Sequence, residues 1–334
     1  MPRNRRLEIP GCVYHVITRG IERRNIFLDD KDRAEFIRRF SEGIKKSGCK
    51  CYGWVLMPNH IHLIIQTGVK PLSDLMRTLL TGYAIYFNLQ HKRTGYLYQN
   101  RYKSILCQKD AYLLELVRYV HLNPLRSGIV KDISELEKYQ WAGHGALTGS
   151  LKNEWQNLDE ILSHFSESKQ KAIASYRDFI QEGLSIKKRD DLTGGGLRRS
   201  AGGWGGVWEL KQRKEYWRGD ERVLGDGNFV ENVLNAAEKE IETKSRLKME
   251  GWNIERLGKR ISELFSVNIK DIQRKVRQKN KSDAKAVFAF WAKREIGIAS
   301  SELGAFLSCS RAGLTQLINK GEKYINEKNV KLLS

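Results

Sequence analysis

His60 and His62 flank Ile61 in the stretch Met57–Ile65, a short apolar run entered through Pro58-Asn59. Side chains alternate faces along a strand, so the two imidazoles share one face while Ile61, Leu63 and Ile65 take the other. Two imidazoles held above a buried apolar face can bind a divalent cation. The remaining histidines (His15, His91, His121, His144, His164) form no second cluster along the chain, so a third ligand must be an Asn, Gln, Asp or Glu side chain. Mixed nitrogen and oxygen ligation with open positions suits Mg²⁺ or Mn²⁺ acting on phosphate better than structural Zn²⁺. His-x-His also occurs in barrel hydrolases, which need further ligands spread over a barrel of about 250 residues.

Tyr119 is the candidate nucleophile, and Asn123, one helical turn later, can reach the same cation. A tyrosine with an unperturbed pKa of about 10 attacks poorly at neutral pH. It needs positive charge near the developing phenolate and a polarised phosphodiester. Attack on a DNA phosphate would leave a phosphotyrosine and release a 3′-hydroxyl; the ester energy is kept, so strands can be rejoined. Taken singly, each histidine reads as a satisfied sheet residue and Tyr119 as a helix tyrosine at a surface. Chemistry is favoured because Glu115 and Asn123 share the Tyr119 face, at four-residue steps, and the histidine pair accompanies them.

The elements that position these residues can be read from periodicity. Val13–Arg19 forms a first strand closed by Gly20, and Asp29 or Asp30 caps a helix carrying Phe36, Ile37, Phe40 and Ile44 that ends near Gly48. Cys51–Met57 and His60–Gln66 form an antiparallel pair across Pro58-Asn59. Pro71 opens a helix running to about Leu89. The segment Gly95–Leu106 interleaves aromatics, amides and cations before a fourth strand, and Tyr98, Arg101, Tyr102 and Lys103, with Arg19, are candidates for stacking on bases and neutralising phosphates. Asp110 caps a helix over Ala111–Leu122 with the apolar stripe Leu113, Leu116, Val117, Val120, and Pro124 terminates it. The order β-α-β-β-α-β-α predicts an α+β, ferredoxin-like antiparallel sheet with helices on one side, followed by an all-α C-terminal region.

Charge divides the chain further. The net charge is +20 over 334 residues. Residues 1–150 carry 24 Lys and Arg against 13 Asp and Glu, residues 151–250 carry 18 of each, and residues 251–334 carry 17 against 8. Two basic ends around a neutral middle point to two surfaces for a polyanion. The domains expected are 1–150, catalytic; 151–249, a helical and Gly-rich connector without a derivable role; and 250–334, DNA-binding. The glycines between Thr193 and Gly206 lack the strand and the Gly-Lys-Ser/Thr of a phosphate loop. The C-terminal helical patterns are Ile254–Phe265, Ile269–Arg277, Asp283–Glu295, Ser300–Leu307 and Ser310–Asn319. The last two fit a helix-turn-helix presenting Arg311, Thr315, Gln316 and Asn319 to duplex DNA. Five scattered cysteines are expected to be reduced thiols. No signal peptide or long apolar run is visible, so the expectation is a soluble, cytoplasmic, nucleoid-associated protein.

His60-Ile61-His62 resembles the HUH signature (His, hydrophobic, His). The block Tyr119-Val120-His121-Leu122-Asn123-Pro124-Leu125-Arg126-Ser127-Gly128-Ile129-Val130 is similar to the tyrosine block of single-tyrosine HUH transposases, especially the REP-associated kind. The likeness spans roughly residues 5–148. It implies cleavage and rejoining of single-stranded DNA, with hairpins in the substrate, through a 5′-phosphotyrosine. It makes His60 and His62 metal ligands, Tyr119 the nucleophile and Asn123 the counterpart of a third ligand that is Gln in some relatives. The C-terminal part resembles, more loosely, the DNA-binding domain of the bacterial replication initiator. The competing reading is a domesticated DNA-binding regulator with an idle site, and a replication or conjugation nickase would share the same chemistry.

Overall fold

The computed structural model describes residues 6–68, 70–186, 192, 220–274 and 278–333. Two compact units result, residues 1–234 and 235–334.

The first unit is built on β1 (Val13–Arg19), α1 (Asp30–Ser47), β2 (Lys50–Met57), β3 (His60–Gln66), α2 (Leu72–Gln90), β4 (Lys103–Cys107) and α3 (Lys109–His121). The four strands are antiparallel in the order β2-β3-β1-β4, the ferredoxin-like arrangement expected from the element order. The strand and helix limits follow local chemistry. Asp29 accepts a hydrogen bond from the Asp32 amide at 2.9 Å, and Gly48 ends α1 at φ 68°, a conformation costly for other residues. The turn between β2 and β3 is pinned by the loop after β1, because the Gly20 amide donates to the Asn59 carbonyl and the Ile26 amide to that of Pro58.

Two details of α3 differ from expectation. Gln108, not Asp110, stands at the N-cap and makes no side-chain capping bond; Asp110 lies in the first turn, where its charge still favours the helix dipole. Pro124 does not end the helical path. The chain continues through Leu122 into α4 (Asn123–Arg126), where Pro124 occupies the first turn and its missing N–H costs nothing.

The sheet is covered on both faces, where the sequence suggested one. Val16, Ile61, Leu63 and Ile65 lie fully buried on one face. There Phe40 of α1 packs on Trp155, which packs on Trp54 of β2, at 5.1 Å and 5.3 Å between ring centroids. On the opposite face Val13, Val55, Ile64 and Ile105 form a second core with Leu113, Leu116, Val117 and Val120 of α3. The stripe on α3 could bury itself only against that second apolar face, which is also the face of His60 and His62.

Residues beyond 150 complete this second core. Ile161 and Leu162, then Tyr176 and Ile180 of the helix Lys169–Glu182, and Leu192 all join it. Val223–Leu224 pairs in parallel with β4 as β5. A two-residue strand carries no periodicity, which is why the sequence left this stretch without a role. The Gly-rich stretch from 193 to 206 lies outside the described residues.

The second unit is helical over Ile254–Phe265, Ile269–Gln273, Lys279–Trp291, Ser300–Phe306 and Arg311–Lys328, with a π turn at Ala292–Ile296. Its core includes Leu257, Ile261, Trp291, Leu303, Leu307 and Leu314. The last helix runs past the expected Asn319 because Tyr324 and Ile325 continue its packed face. Among the described residues no helix is long and apolar enough to cross a membrane.

Candidate active site

Register sets the site. His60 stands opposite Arg19 and His62 opposite Ile17 across the β1–β3 ladder, and Ile17 in turn stands opposite Lys103 on β4. Directly paired residues share a face, so Arg19 and Lys103 flank the histidines on the sheet face that α3 covers. A slip of one residue would turn both imidazoles into the other core. Arg19 and Lys103 are exposed, which leaves two cations at the rim of a buried centre.

His62 is 4 % exposed and His60 is half-buried. Their rings lie 5.1 Å apart, and α3 brings Tyr119 edge-on to His62 at 5.8 Å. Burial first, then neighbouring His15, His60 and Arg19, pulls the His62 pKa well below the ordinary histidine range. His62 is therefore neutral near pH 7, the form in which an imidazole nitrogen offers its lone pair.

The Nδ1 atoms of both histidines are engaged. His60 Nδ1 lies 2.6 Å from Asn59 Oδ1, and the Asn59 amide nitrogen donates to the Arg23 carbonyl, which aims the oxygen at His60. An amide oxygen only accepts, so His60 donates through Nδ1 and keeps Nε2 as its basic atom. His62 Nδ1 lies 2.9 Å from Nε2 of the fully buried His15. Spacing along the chain does not group His15 with this pair, because the grouping depends on strand pairing: His15 sits diagonally across the ladder from His62.

Asn123 lies one turn beyond Tyr119 and its Nδ2 donates to the Tyr119 and Val120 carbonyls at 2.8 and 3.3 Å, which leaves Oδ1 as the atom that could serve a cation. Among the described residues no three His, Cys, Asp or Glu side chains converge on a metal position. Two imidazole nitrogens with an amide oxygen form a donor set whose chemistry fits a divalent cation.

Arg126 is a second residue that sequence reasoning passed over. The hydrogen bonds Leu122 N to Arg118 O and Arg126 N to Leu122 O carry the helical path from α3 into α4. Tyr119, Asn123 and Arg126 therefore stand at steps of four and seven, on one face. Nη2 of Arg126 donates to the Gly183 carbonyl, while Nη1 is buried and meets no acceptor among the described residues. Burial lowers the Arg126 pKa and Tyr119 opposes that shift, placing the guanidinium within electrostatic reach of the phenol.

The other expected nucleic-acid contacts are scattered. Arg101 is exposed. Tyr98 is half-buried, its backbone bridged to Gly20 and its phenol pKa raised by burial. Tyr102 is buried, with the Arg6 guanidinium 3.7 Å above its ring, so a base would have to displace Arg6 to stack there. In the second unit Thr315 and Gln316 are exposed on the helix that Ser310 caps; the side chain of Arg311 lies outside the described residues.

Beneath the site, the Tyr176 hydroxyl lies 2.9 Å from Nδ1 of both His121 and His144. All three side chains are fully buried. This cluster ties α3 to the helix Lys169–Glu182 and so holds Tyr119, two residues before His121, against the sheet.

Residues 8–123 match the family model of IS200-like transposases, a span that takes in His60, His62, Tyr119 and Asn123. A solved structure described as a REP-associated tyrosine transposase bound to a REP hairpin is similar at 16 % identity and a TM-score of 0.38, over 47 % of this chain and 98 % of that one. No curated protein matches the chain. The likeness to the IS200-like transposases is therefore confined to residues 8–123, the part of the chain that holds the candidate site.

Proposed function

We propose that the first unit is a metal-dependent single-strand DNA transposase that cleaves and rejoins DNA through Tyr119. The observation that carries this reading is the packing of α3, which puts a buried tyrosine edge-on against His62, itself hydrogen-bonded to His15. The Tyr119 oxygen attacks the scissile phosphorus and its proton leaves to solvent or base. The bond from phosphorus to O3′ breaks, O3′ takes a proton, and the DNA 5′ end stays on Tyr119 as a phosphodiester. Reversal, with a different 3′-hydroxyl attacking, joins new ends without an outside energy source.

His60 Nε2, His62 Nε2 and Asn123 Oδ1 would hold Mg²⁺ or Mn²⁺, which when bound supplies Lewis-acid polarisation of the phosphate. The chain's own residues do the rest. Arg126 offsets negative charge at the Tyr119 oxygen, and Arg19 and Lys103 at the rim attract the DNA backbone. The substrate we propose is single-stranded DNA bearing hairpins. The exposed face of the helix Arg311–Lys328, with Thr315 and Gln316, is proposed as a helix-turn-helix surface for duplex DNA, supported by the basic charge of residues 251–334.

The test is a labelled hairpin oligonucleotide incubated with the full chain and Mg²⁺ or Mn²⁺, then denatured. A covalent protein–DNA species with the wild type and none with Tyr119→Phe is the expected result. An equal yield from Tyr119→Phe would overturn the assignment.

A further inference from the structure

We propose that His15 is a positioning residue that fixes His62 in the tautomer needed to bind the cation, and that the Leu192 carbonyl fixes His15 in turn. The proposal rests on the metal reading above and extends it to residues outside the expected ligand set.

The geometry is a relay of two bonds. His15 Nδ1 lies 3.4 Å from the Leu192 carbonyl oxygen, and His15 Nε2 lies 2.9 Å from His62 Nδ1. A carbonyl only accepts, so His15 carries its proton on Nδ1. In neutral imidazole the other nitrogen is then an acceptor, and the proton between the rings belongs to His62 Nδ1. His62 is left with a lone pair on Nε2, the atom facing away from β1. The two rings are stacked at 5.1 Å with an interplanar angle of 24°, which also restrains rotation of His62. Asn59 does the same for His60 through a different acceptor. Each histidine of the pair thus has its own partner on Nδ1, the arrangement that orients ligating imidazoles and raises their basicity.

The relay has a consequence for the chain beyond the matched family span. Leu192 is fully buried in the core that contains α3. A backbone group far downstream of the catalytic block therefore takes part in setting the protonation pattern of the site, which gives the 151–234 stretch a role in the chemistry of the first unit. An apolar residue at position 15 would leave the His62 Nδ1–H buried without its acceptor, and the ring would lose the bond that fixes its orientation.

The test uses the full chain without DNA, with Mn²⁺ as the probe and calorimetry as the readout. His15→Leu is expected to weaken Mn²⁺ binding roughly 10- to 100-fold, the usual effect of removing a partner behind a ligating histidine. His15→Gln, whose side-chain carbonyl can accept the same proton, should restore most of the affinity. Unchanged binding by His15→Leu, while His60→Ala loses it, overturns the proposal and leaves the metal site standing. A wild type that binds no better than His60→Ala overturns the metal reading itself. Should His15→Leu fail to fold, ¹⁵N imidazole spectra of the wild type decide the matter: protonated Nδ1 on His62 is expected, and protonated Nε2 refutes the relay.

Discussion

The Tyr119 ring meets His62 edge-on, its centroid 5.8 Å away at an interplanar angle of 81°. That contact joins a helix to a strand 57 positions earlier in the chain, and it converts two separate sequence signals into one site. It also makes the roles separable by mutation, since the tyrosine and the histidines are asked for different things.

Removing the histidines should spare DNA binding. His60→Ala and His62→Ala are expected to lose covalent adduct formation, as is the wild type in excess EDTA. Salt-sensitive binding of single-stranded DNA should persist, because it depends on Arg19, Lys103 and other cations rather than on the metal. Gel-shift titrations at two salt concentrations, alongside adduct assays, check both halves. Loss of binding together with cleavage would mean the histidines serve the fold.

Arg126→Gln should slow adduct formation roughly 100-fold, the scale on which a donor aimed at developing negative charge acts. Arg126→Lys should recover part of the rate, and thermal unfolding should shift little. A rate within a few-fold of wild type for the Gln variant would reduce the guanidinium to an anchor for Gly183.

Acid should loosen the first unit through its buried histidines. Burial holds the His144 pKa down at about 4 and that of His121 well below the usual range. For His144, Glu137 raises and Arg177 lowers the value further. Unfolded histidine takes up protons near pH 6.5 that the folded rings refuse, so this stability is present above pH 6.5 and is lost as pH falls from there toward the folded values. Each ring contributes a slope of up to about 1.4 kcal/mol per pH unit. Urea unfolding at pH 7.5 and pH 5 should show the loss, and Tyr176→Phe, which removes the shared hydroxyl, should cost about 1–3 kcal/mol at pH 7.5.

In the second unit Gln316→Ala should weaken duplex binding at particular base positions by about 1–3 kcal/mol, while leaving hairpin cleavage by the full chain intact. Binding that falls uniformly across sequences would mark Gln316 as a backbone contact instead.

Local periodicity determined much of this protein. Alternation in β3 put His60 and His62 on one face, and helical spacing put Tyr119 and Asn123 on another, because both facts depend only on residues a few positions apart. The limits of β1, α1 and β3 were legible for the same reason, as Asp29 and Gly48 act on their own turns. Pairing between distant segments was not. His15 joins His62 only through the β1–β3 register, Leu192 and Tyr176 reach the core from the stretch beyond 150, and β5 is too short to announce itself. Nor does spacing along the chain bring Arg6 over the Tyr102 ring. The sequence alone named the candidate ligands and the candidate nucleophile. The tertiary structure decided which partners the His60 and His62 rings meet and brought Arg126 onto the helical face of Tyr119, because those partners meet only when the sheet closes.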